Sequence, residues 1–141
     1  MSTERTNWRD ERLSKWHQNI GADCPAVDLD FLLVEYDRGE AMALVEYKHH
    51  RCRRPTFQEP SYAALRDLCA GAEIPLICCI YSDDLTTWDA YPLNIHAELW
   101  LNGPTQLTEN QWIDLLYRIR GRITPPQFLI QLETKIKSVI Q

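Results

Sequence analysis

The sequence predicts a mixed α/β domain in which a central mixed sheet is flanked by helices. Segments rich in strand-forming residues alternate with segments of helical periodicity, and this alternation is typical of α/β folds. The 141 residues suffice for one core, and no repeat or long linker divides them. We therefore expect a single domain over residues 1–141, ending in a helical extension at about residues 108–141.

The N-terminal half predicts one helix followed by two strands. The helix is expected over Trp8–Asn19, where Leu13 and Trp16 recur at helical spacing and should be buried. The strands are expected over Val27–Tyr36 and Ala41–Lys48, which are rich in β-branched and aromatic residues. The two strands are close enough in sequence to form a hairpin.

The C-terminal half predicts further helices and strands. A helix over Pro60–Ala70 precedes Leu76–Tyr81, an apolar run expected to be a central strand covered on both faces. Trp88–Tyr91 is expected to be a short strand. Thr108 begins a capping box for the next helix, and Thr124 followed by proline begins the last one.

The composition favours a cytoplasmic protein. The first residues are polar and charged and lack the apolar stretch of a secretory signal. The five cysteines are an odd number without a CxxC pair, which argues against a disulfide framework. A zinc cluster of Cys52, His49, His50 and the distant Cys24 fits no known ligand spacing, so we expect buried or incidental thiols.

The turn between the first two strands sets their register. Asp37-Arg38-Gly39 fits a three-residue loop whose last position takes a left-handed glycine. Such a loop pairs Tyr36 with Glu40, and counting outward along both strands places Asp30 opposite Glu46. Opposed side chains have Cβ atoms about 4.5–5.5 Å apart, so two carboxylates would repel unless a cation lay between them. Mg²⁺, which prefers carboxylates and water, is the expected cation.

The same register places Asp28 opposite Lys48. Because side chains alternate across a strand, these residues share a face with the two acids. A two-residue loop would instead oppose Asp30 to Tyr47 and separate the acids, and we expect the three-residue loop. The alternative interpretation of the charges is a salt-bridge network on a solvated sheet face, but the flanking strands are apolar.

An acid on one strand followed by Glu46-Tyr47-Lys48 on the next resembles the PD-(D/E)XK nuclease superfamily. The order of helix, acid strand, E-x-K strand, helix and strand over Trp8–Tyr81 is also similar. The likeness is to small phage- and prophage-type members and to Holliday-junction resolvase-like folds. It implies a restriction-endonuclease-like core for the domain, although Leu29 rather than proline precedes Asp30.

The resemblance implies a Mg²⁺-dependent endonuclease that hydrolyses phosphodiester bonds in nucleic acid, with DNA as the expected substrate. Asp30, Glu46 and the backbone carbonyl of Tyr47 would hold Mg²⁺, for which Mn²⁺ could substitute. Lys48 would position the attacking water or stabilise charge on the phosphate. Asp28 would either ligate a second ion or pair with Lys48.

Nucleic-acid binding requires cations, and the formal net charge is −5. The positive charge is concentrated in the run that begins at Lys48, from which Arg51, Arg53 and Arg54 are expected to contact phosphates. The alternative for this run is a solvated loop. A second cluster consists of Arg118, Arg120 and Arg122.

Two other classes of function remain open in the sequence. The chain could be a catalytically silent nuclease-fold module that binds DNA or a protein partner, or an unrelated ligand-binding α/β domain. We expect no membrane partner, and the sequence leaves a homodimer open.

Overall fold

The computed structural model describes residues 11–20, 27, 29–52 and 56–128. Within these residues the chain forms an α/β fold with one five-stranded mixed sheet, in the order β1-β2-β3-β4-β5, flanked by helices. The helices are α1 (Glu11–Ile20), α2 (Pro60–Ala72), α3 (Ile95–Glu98) and α4 (Glu109–Ile119). The strands are β1 (Phe31–Glu35), β2 (Glu40–His49), β3 (Leu76–Tyr81), β4 (Thr87–Pro92) and β5 (Thr105–Thr108).

The sheet is antiparallel except between β2 and β3. These two strands run parallel and are joined through α2, as a parallel connection requires a crossover. The apolar run Leu76–Tyr81 is the middle strand of the sheet, which confirms its prediction as a central strand. Its first four residues are buried, because helices cover both faces of the sheet there.

The two faces of the sheet carry separate cores. On one face, Leu44 of β2 packs with Tyr62, Leu65 and Cys69 of α2. On the other face, neighbouring residues of β2 pack against α3 and α4; the buried members include Ala43, Val45, Ala97, Trp112, Leu115 and Ile119. Alternate residues of β2 therefore face different helices, and this alternation decides which side chains reach the site described below.

The hairpin between β1 and β2 differs from its prediction at the turn. The pairing begins with Glu35 and Glu40, so the loop has four residues and not three, and Tyr36 lies within it. Gly39 takes the left-handed conformation, with a φ of 64°, and donates its N–H to the Tyr36 carbonyl at 3.2 Å. A bulge at Met42 then shifts the register by one residue. The two deviations cancel, and the rest of the hairpin has the predicted register.

The first helix departs from expectation in what it buries. The helix is confirmed over Glu11–Ile20, but Leu13 and Trp16 are more than half exposed. Periodicity shows which side chains share a face of a helix, not whether that face is covered. The predicted start at Trp8 lies outside the described residues.

The C-terminal half contains two elements that the sequence did not predict, α3 and β5. Asn94 caps α3 by accepting the Ala97 amide at 2.9 Å, and the predicted capping box at Thr108 is confirmed. Of the helix expected after Thr124, residues 126–128 are helical and the remainder lies outside the described residues. No helix in the described ranges is both long and apolar enough to cross a membrane.

Candidate metal centre

Asp30 and Glu46 meet where β1 ends against β2. The register Phe31–Val45, continued by one residue, sets Asp30 opposite Glu46. The two carboxyl groups are close enough for Asp30 to raise the pKa of Glu46. The structure therefore brings together the two carboxylates that the sequence paired, because the bulge restores the register before it reaches them.

The backbone of Tyr47 forms one side of this pair. Its N–H donates to Oδ2 of Asp30 at 3.0 Å, so the Asp30 carboxylate accepts an amide at the end of the β1 ladder. The N–H and C=O of one strand residue point the same way, and the Tyr47 carbonyl therefore also faces the Asp30 side. The Tyr47 side chain lies on the opposite face, where its hydroxyl accepts the Trp112 indole N–H at 3.1 Å.

The directions of the backbone amides show which type of antiparallel pair Asp30 and Glu46 form. The Leu44 amide bonds to Pro75, on the β3 side, whereas the Tyr47 amide points toward β1. By alternation the Glu46 amide also points toward β3, so Asp30 and Glu46 form a non-hydrogen-bonded pair, in which opposed side chains lie closest.

Glu46 is buried on the face of the sheet that packs against α2. Its side chain shares the face of Leu44 and neighbours Cys78 on β3, whose Sγ lies 4.0 Å from the Tyr62 hydroxyl of α2. Burial, together with the hydrogen bond and negative charge of Asp30, raises the pKa of Glu46 to about 7. Glu46 therefore holds a proton at pH values where an exposed glutamate is ionised.

One oxygen of Glu46 has no hydrogen-bond partner in the part of the chain that the structure describes. This atom, Oε1, is buried. A buried carboxylate oxygen without a donor is costly, since its lost hydration is not replaced. Two opposed carboxylates and a nearby backbone carbonyl are also the oxygen ligands that Mg²⁺ accepts. The residues present therefore fit a divalent cation at this position.

Lys48 lies on the same face, two residues beyond Glu46. It is half-buried, pairs in register with Ile80 and lowers the pKa of Glu46 through its charge. Within the described ranges, no carboxylate forms an ion pair with its ammonium group. Asp28, the partner that the register predicts for it, lies outside the described residues.

Only part of the predicted phosphate-binding run can be compared with the structure. Arg51 is exposed and contacts an oxygen of Asp83 at 2.5 Å. Arg53 and Arg54 lie outside the described residues. Exposed ion pairs contribute roughly 0–1 kcal/mol, so a phosphate could compete for Arg51.

The second arginine cluster is neutralised by carboxylates. Arg122 makes two contacts of 2.6–2.7 Å to the buried Glu35 and holds the pKa of that carboxyl at about 2. Arg120 lies 3.8 Å from Glu35, and Arg118 pairs with Asp114 at 3.1 Å. The contacts of Arg120 and Arg122 join the hairpin to the segment after α4, whereas the Arg118–Asp114 pair lies within α4, and we assign the cluster a structural role.

Sequence reasoning missed three residues around the site. Tyr62 and Cys78 form the floor beneath Glu46, and Asp83 holds Arg51. Tyr62 was visible as part of an apolar helical stripe, but its position opposite Glu46 depends on how α2 crosses the sheet. Asp83 was visible only as a turn residue, because it lies far from Arg51 in the chain.

The raised pKa of Glu46 predicts how the stability of the metal-free protein depends on pH. Between the ordinary glutamate value of 4.5 and about 7, native Glu46 keeps a proton that the unfolded chain has released. The free energy of unfolding should therefore fall as the pH rises through this window. Replacing Glu46 with Gln removes this titration, so the free energy of unfolding of E46Q should rise relative to that of wild type by pH 8. We expect a rise of roughly 1–2 kcal/mol, which is smaller than the full pKa shift implies because solvent screens part of the repulsion.

Urea unfolding in the presence of a chelator, from pH 5 to pH 8, measures this difference. E40Q is the matched control, since Glu40 lies on the same strand but is exposed and paired with Arg38. A difference between E46Q and wild type that does not change with pH would show that Glu46 titrates as an ordinary surface glutamate.

Comparison with protein-family models, with curated proteins and with solved structures gives no match for this chain. The functional assignment therefore depends on the geometry of the site itself.

Proposed function

We propose that this chain is a Mg²⁺-dependent endonuclease that hydrolyses phosphodiester bonds in DNA, on a restriction-endonuclease-like core. The observation that supports this most is the buried Glu46 carboxylate, which opposes Asp30 and has one oxygen without a partner among the described residues. A solvated salt-bridge network would pair each acid with a base, whereas Glu46 is buried beside a second acid and, among the described residues, Lys48 forms no ion pair with it.

Asp30, Glu46 and the Tyr47 carbonyl would hold the ion. When bound, Mg²⁺ supplies Lewis-acid chemistry, in which a water becomes more acidic and a phosphoryl oxygen is polarised. Glu46 must lose its proton before it can act as a ligand, and its pKa of about 7 allows this near neutral pH. The Tyr47 amide holds Asp30 in position through Oδ2, which limits the freedom of this carboxylate.

Lys48 would supply a second positive charge at the site, in addition to the metal ion. Its ammonium group shares the face of Glu46, and no described carboxylate neutralises it through an ion pair. In the proposed reaction Lys48 either positions the attacking water or donates to a phosphate oxygen whose negative charge increases. Both roles place its largest effect in the transition state.

The substrate class follows from the charges near the end of β2. Arg51 emerges just beyond Lys48, and Arg53 and Arg54 follow in sequence. A phosphodiester held at the ion has neighbouring phosphates, which need cations because the chain as a whole is acidic. A polymer of phosphodiesters is therefore a better match for this edge than a small phosphoester.

The arginine run gives a prediction about salt dependence. Changing Arg51, Arg53 and Arg54 to Ala should weaken DNA binding equally across sequences. It should also reduce the slope of log affinity against log salt concentration by about 0.9 for each phosphate that no longer binds an arginine. Binding titrations at several salt concentrations, on the inactive E46Q background, measure the slope.

R38A is the control for these titrations, because Arg38 is an exposed arginine near the opposite end of β2. The same slope for the triple variant and for R38A would show that the run is a solvated loop, and that DNA binds elsewhere.

Cleavage of supercoiled plasmid by the tag-free protein, with and without Mg²⁺, tests the proposed function. We expect nicked or linear products with Mg²⁺ or Mn²⁺, and none when a chelator is present. DNA binding without cleavage would instead identify a catalytically silent binding module.

A further inference from the structure

We propose that His49, His50 and Asp83 form a second metal site, which takes a transition-metal dication such as Zn²⁺. One ring nitrogen of each histidine and one carboxylate oxygen of Asp83 all lie within 4.8 Å of one another. The site is distinct from the Asp30–Glu46 pair and does not depend on nuclease activity.

The main chain brings these three residues to one edge of the sheet. Strands β2 and β3 are parallel neighbours that end together, with His49 paired to Tyr81. The His50 amide donates to the Tyr81 carbonyl at 2.9 Å, which joins the turn after β2 to the end of β3. The turn that carries Asp83 is closed by the Ser82 amide, which donates to the Thr87 carbonyl at 3.0 Å.

The two metal sites lie on opposite faces of the sheet. The His49 side chain lies on the Tyr47 face and packs edge-on against the Tyr81 ring at 5.4 Å. Lys48 and Glu46 point to the other face, because side chains alternate along a strand. A cation at His49 would therefore not be a second ion of the Asp30–Glu46 site.

The imidazole of His49 is already oriented toward the carboxylate. Its Nε2 contacts Oδ1 of Asp83, and its Nδ1 accepts the Arg51 amide at 3.1 Å. A dication would take the place of the proton between Nε2 and Oδ1. The ring proton would then move to Nδ1, and the exposed Arg51 amide would exchange this hydrogen bond for one to water.

The remaining contacts suit a metal site. The His50 ring lies 4.6 Å from the His49 ring and is exposed, so a rotation of its side chain can bring a nitrogen to the ion. Arg51 contacts Oδ2 of Asp83 at 2.5 Å, which leaves Oδ1 for the metal, and the His49 contact holds the carboxylate whether or not a phosphate takes Arg51.

The ligand set determines which metals fit. Two imidazoles and one carboxylate favour Zn²⁺, Co²⁺ or Ni²⁺, whereas Mg²⁺ prefers oxygen ligands. Three protein ligands also leave a coordination position for water or another molecule. Cys52, two residues beyond His50, is exposed and is not a member of the group.

Titration with Co²⁺ tests the proposal, because coordinated Co²⁺ absorbs visible light according to its ligands. The tag-free full chain, stripped with a chelator, should bind one Co²⁺ with nitrogen–oxygen absorption bands, in addition to any Co²⁺ on the oxygen ligands of Asp30 and Glu46, and Zn²⁺ should displace it. H50Q and D83N should each weaken this binding by at least ~100-fold, since removing a residue that only orients a ligand already costs about 10–100-fold. H96Q is the matched control, because His96 lies in α3, outside the cluster. In E46Q and C52S the nitrogen–oxygen bands, which report only the histidine site, should match those of the wild type.

Two results would show that these residues bind no metal: an absence of Co²⁺ bands in the wild type, or an equal affinity for Co²⁺ in wild type and H50Q. Two more would also overturn the proposal: disappearance of the bands in E46Q, or their disappearance in C52S. The last two would place the metal at Glu46 or on a thiolate. Because the His50 side chain is exposed, H50Q should keep the wild-type circular dichroism spectrum, so a failure to fold cannot explain weaker binding.

Discussion

Replacing Glu46 with Gln is expected to abolish Mg²⁺-dependent cleavage of DNA. The substitution keeps the shape of the side chain but removes the charge that would bind the ion. Metal assistance is worth several kcal/mol, and each ~1.4 kcal/mol is tenfold in rate, so turnover should fall by at least ~10³-fold. Asp30→Asn should have the same effect, and its amide oxygen can still accept the Tyr47 N–H that closes the end of the hairpin.

Plasmid cleavage rates at saturating Mg²⁺ measure both variants. E40Q is the matched control, since Glu40 is an exposed β2 carboxylate that bonds to Arg38 near the opposite end of the strand. Wild-type turnover in E46Q or D30N would remove that residue from the proposed metal centre. A folded variant in which cleavage alone is abolished would support it.

Lys48→Ala is expected to lower turnover by about 10²–10³-fold, the effect typical of removing one group that stabilises transition-state charge. Mg²⁺ affinity should change little, because Lys48 is not a ligand in the proposed site. The Michaelis constant for DNA should also change much less than the turnover number, since the interaction is strongest in the transition state.

Steady-state kinetics with DNA, combined with calorimetric Mg²⁺ titration, separate these quantities. K15A is the control, because Lys15 is an exposed lysine on α1. If K48A cleaves at the wild-type rate and only its affinity for DNA falls, Lys48 is a phosphate contact and has no role in the chemical step.

The position of the site could be predicted from the sequence, although the turn could not. Asp37-Arg38-Gly39 indicated a hairpin, and Gly39 has the left-handed conformation that the turn requires. The loop is one residue longer than predicted, and the bulge at Met42 compensates for it. The sequence immediately around Met42 carries no glycine or proline that would signal a bulge, so the agreement at Asp30 and Glu46 depended on two errors that cancel.

Buried strands were easier to predict than exposed surfaces. Leu76–Tyr81 is apolar throughout, and this alone indicates a strand covered on both faces. The faces of α1 could not be assigned in this way, because Leu13 and Trp16 show amphipathic spacing and are nevertheless exposed. Hydrophobic periodicity identifies the helix, but burial also depends on what packs against it.

Long-range polar contacts could not be predicted from the sequence. Arg122 and Glu35 are far apart in the chain, as are Arg51 and Asp83, and no local pattern pairs them. Their contacts change the expected electrostatics, because the cluster at Arg122 is neutralised and Arg51 shares its charge with an acid. The sequence therefore predicted where cations lie along the chain but not which of them are available to a substrate.

Asp30 and Glu46 together should bind one divalent cation, and the proposed function depends on this more than on any other feature. A crystal structure determined with Mn²⁺, with anomalous diffraction recorded at the manganese edge, shows directly whether they do. We expect an anomalous peak between the two carboxylates, in contact with Oε1 of Glu46, and no such peak in crystals of E46Q grown with the same ion. Ordered Asp30 and Glu46 side chains at saturating Mn²⁺, without an anomalous peak between them, would contradict the proposed metal centre.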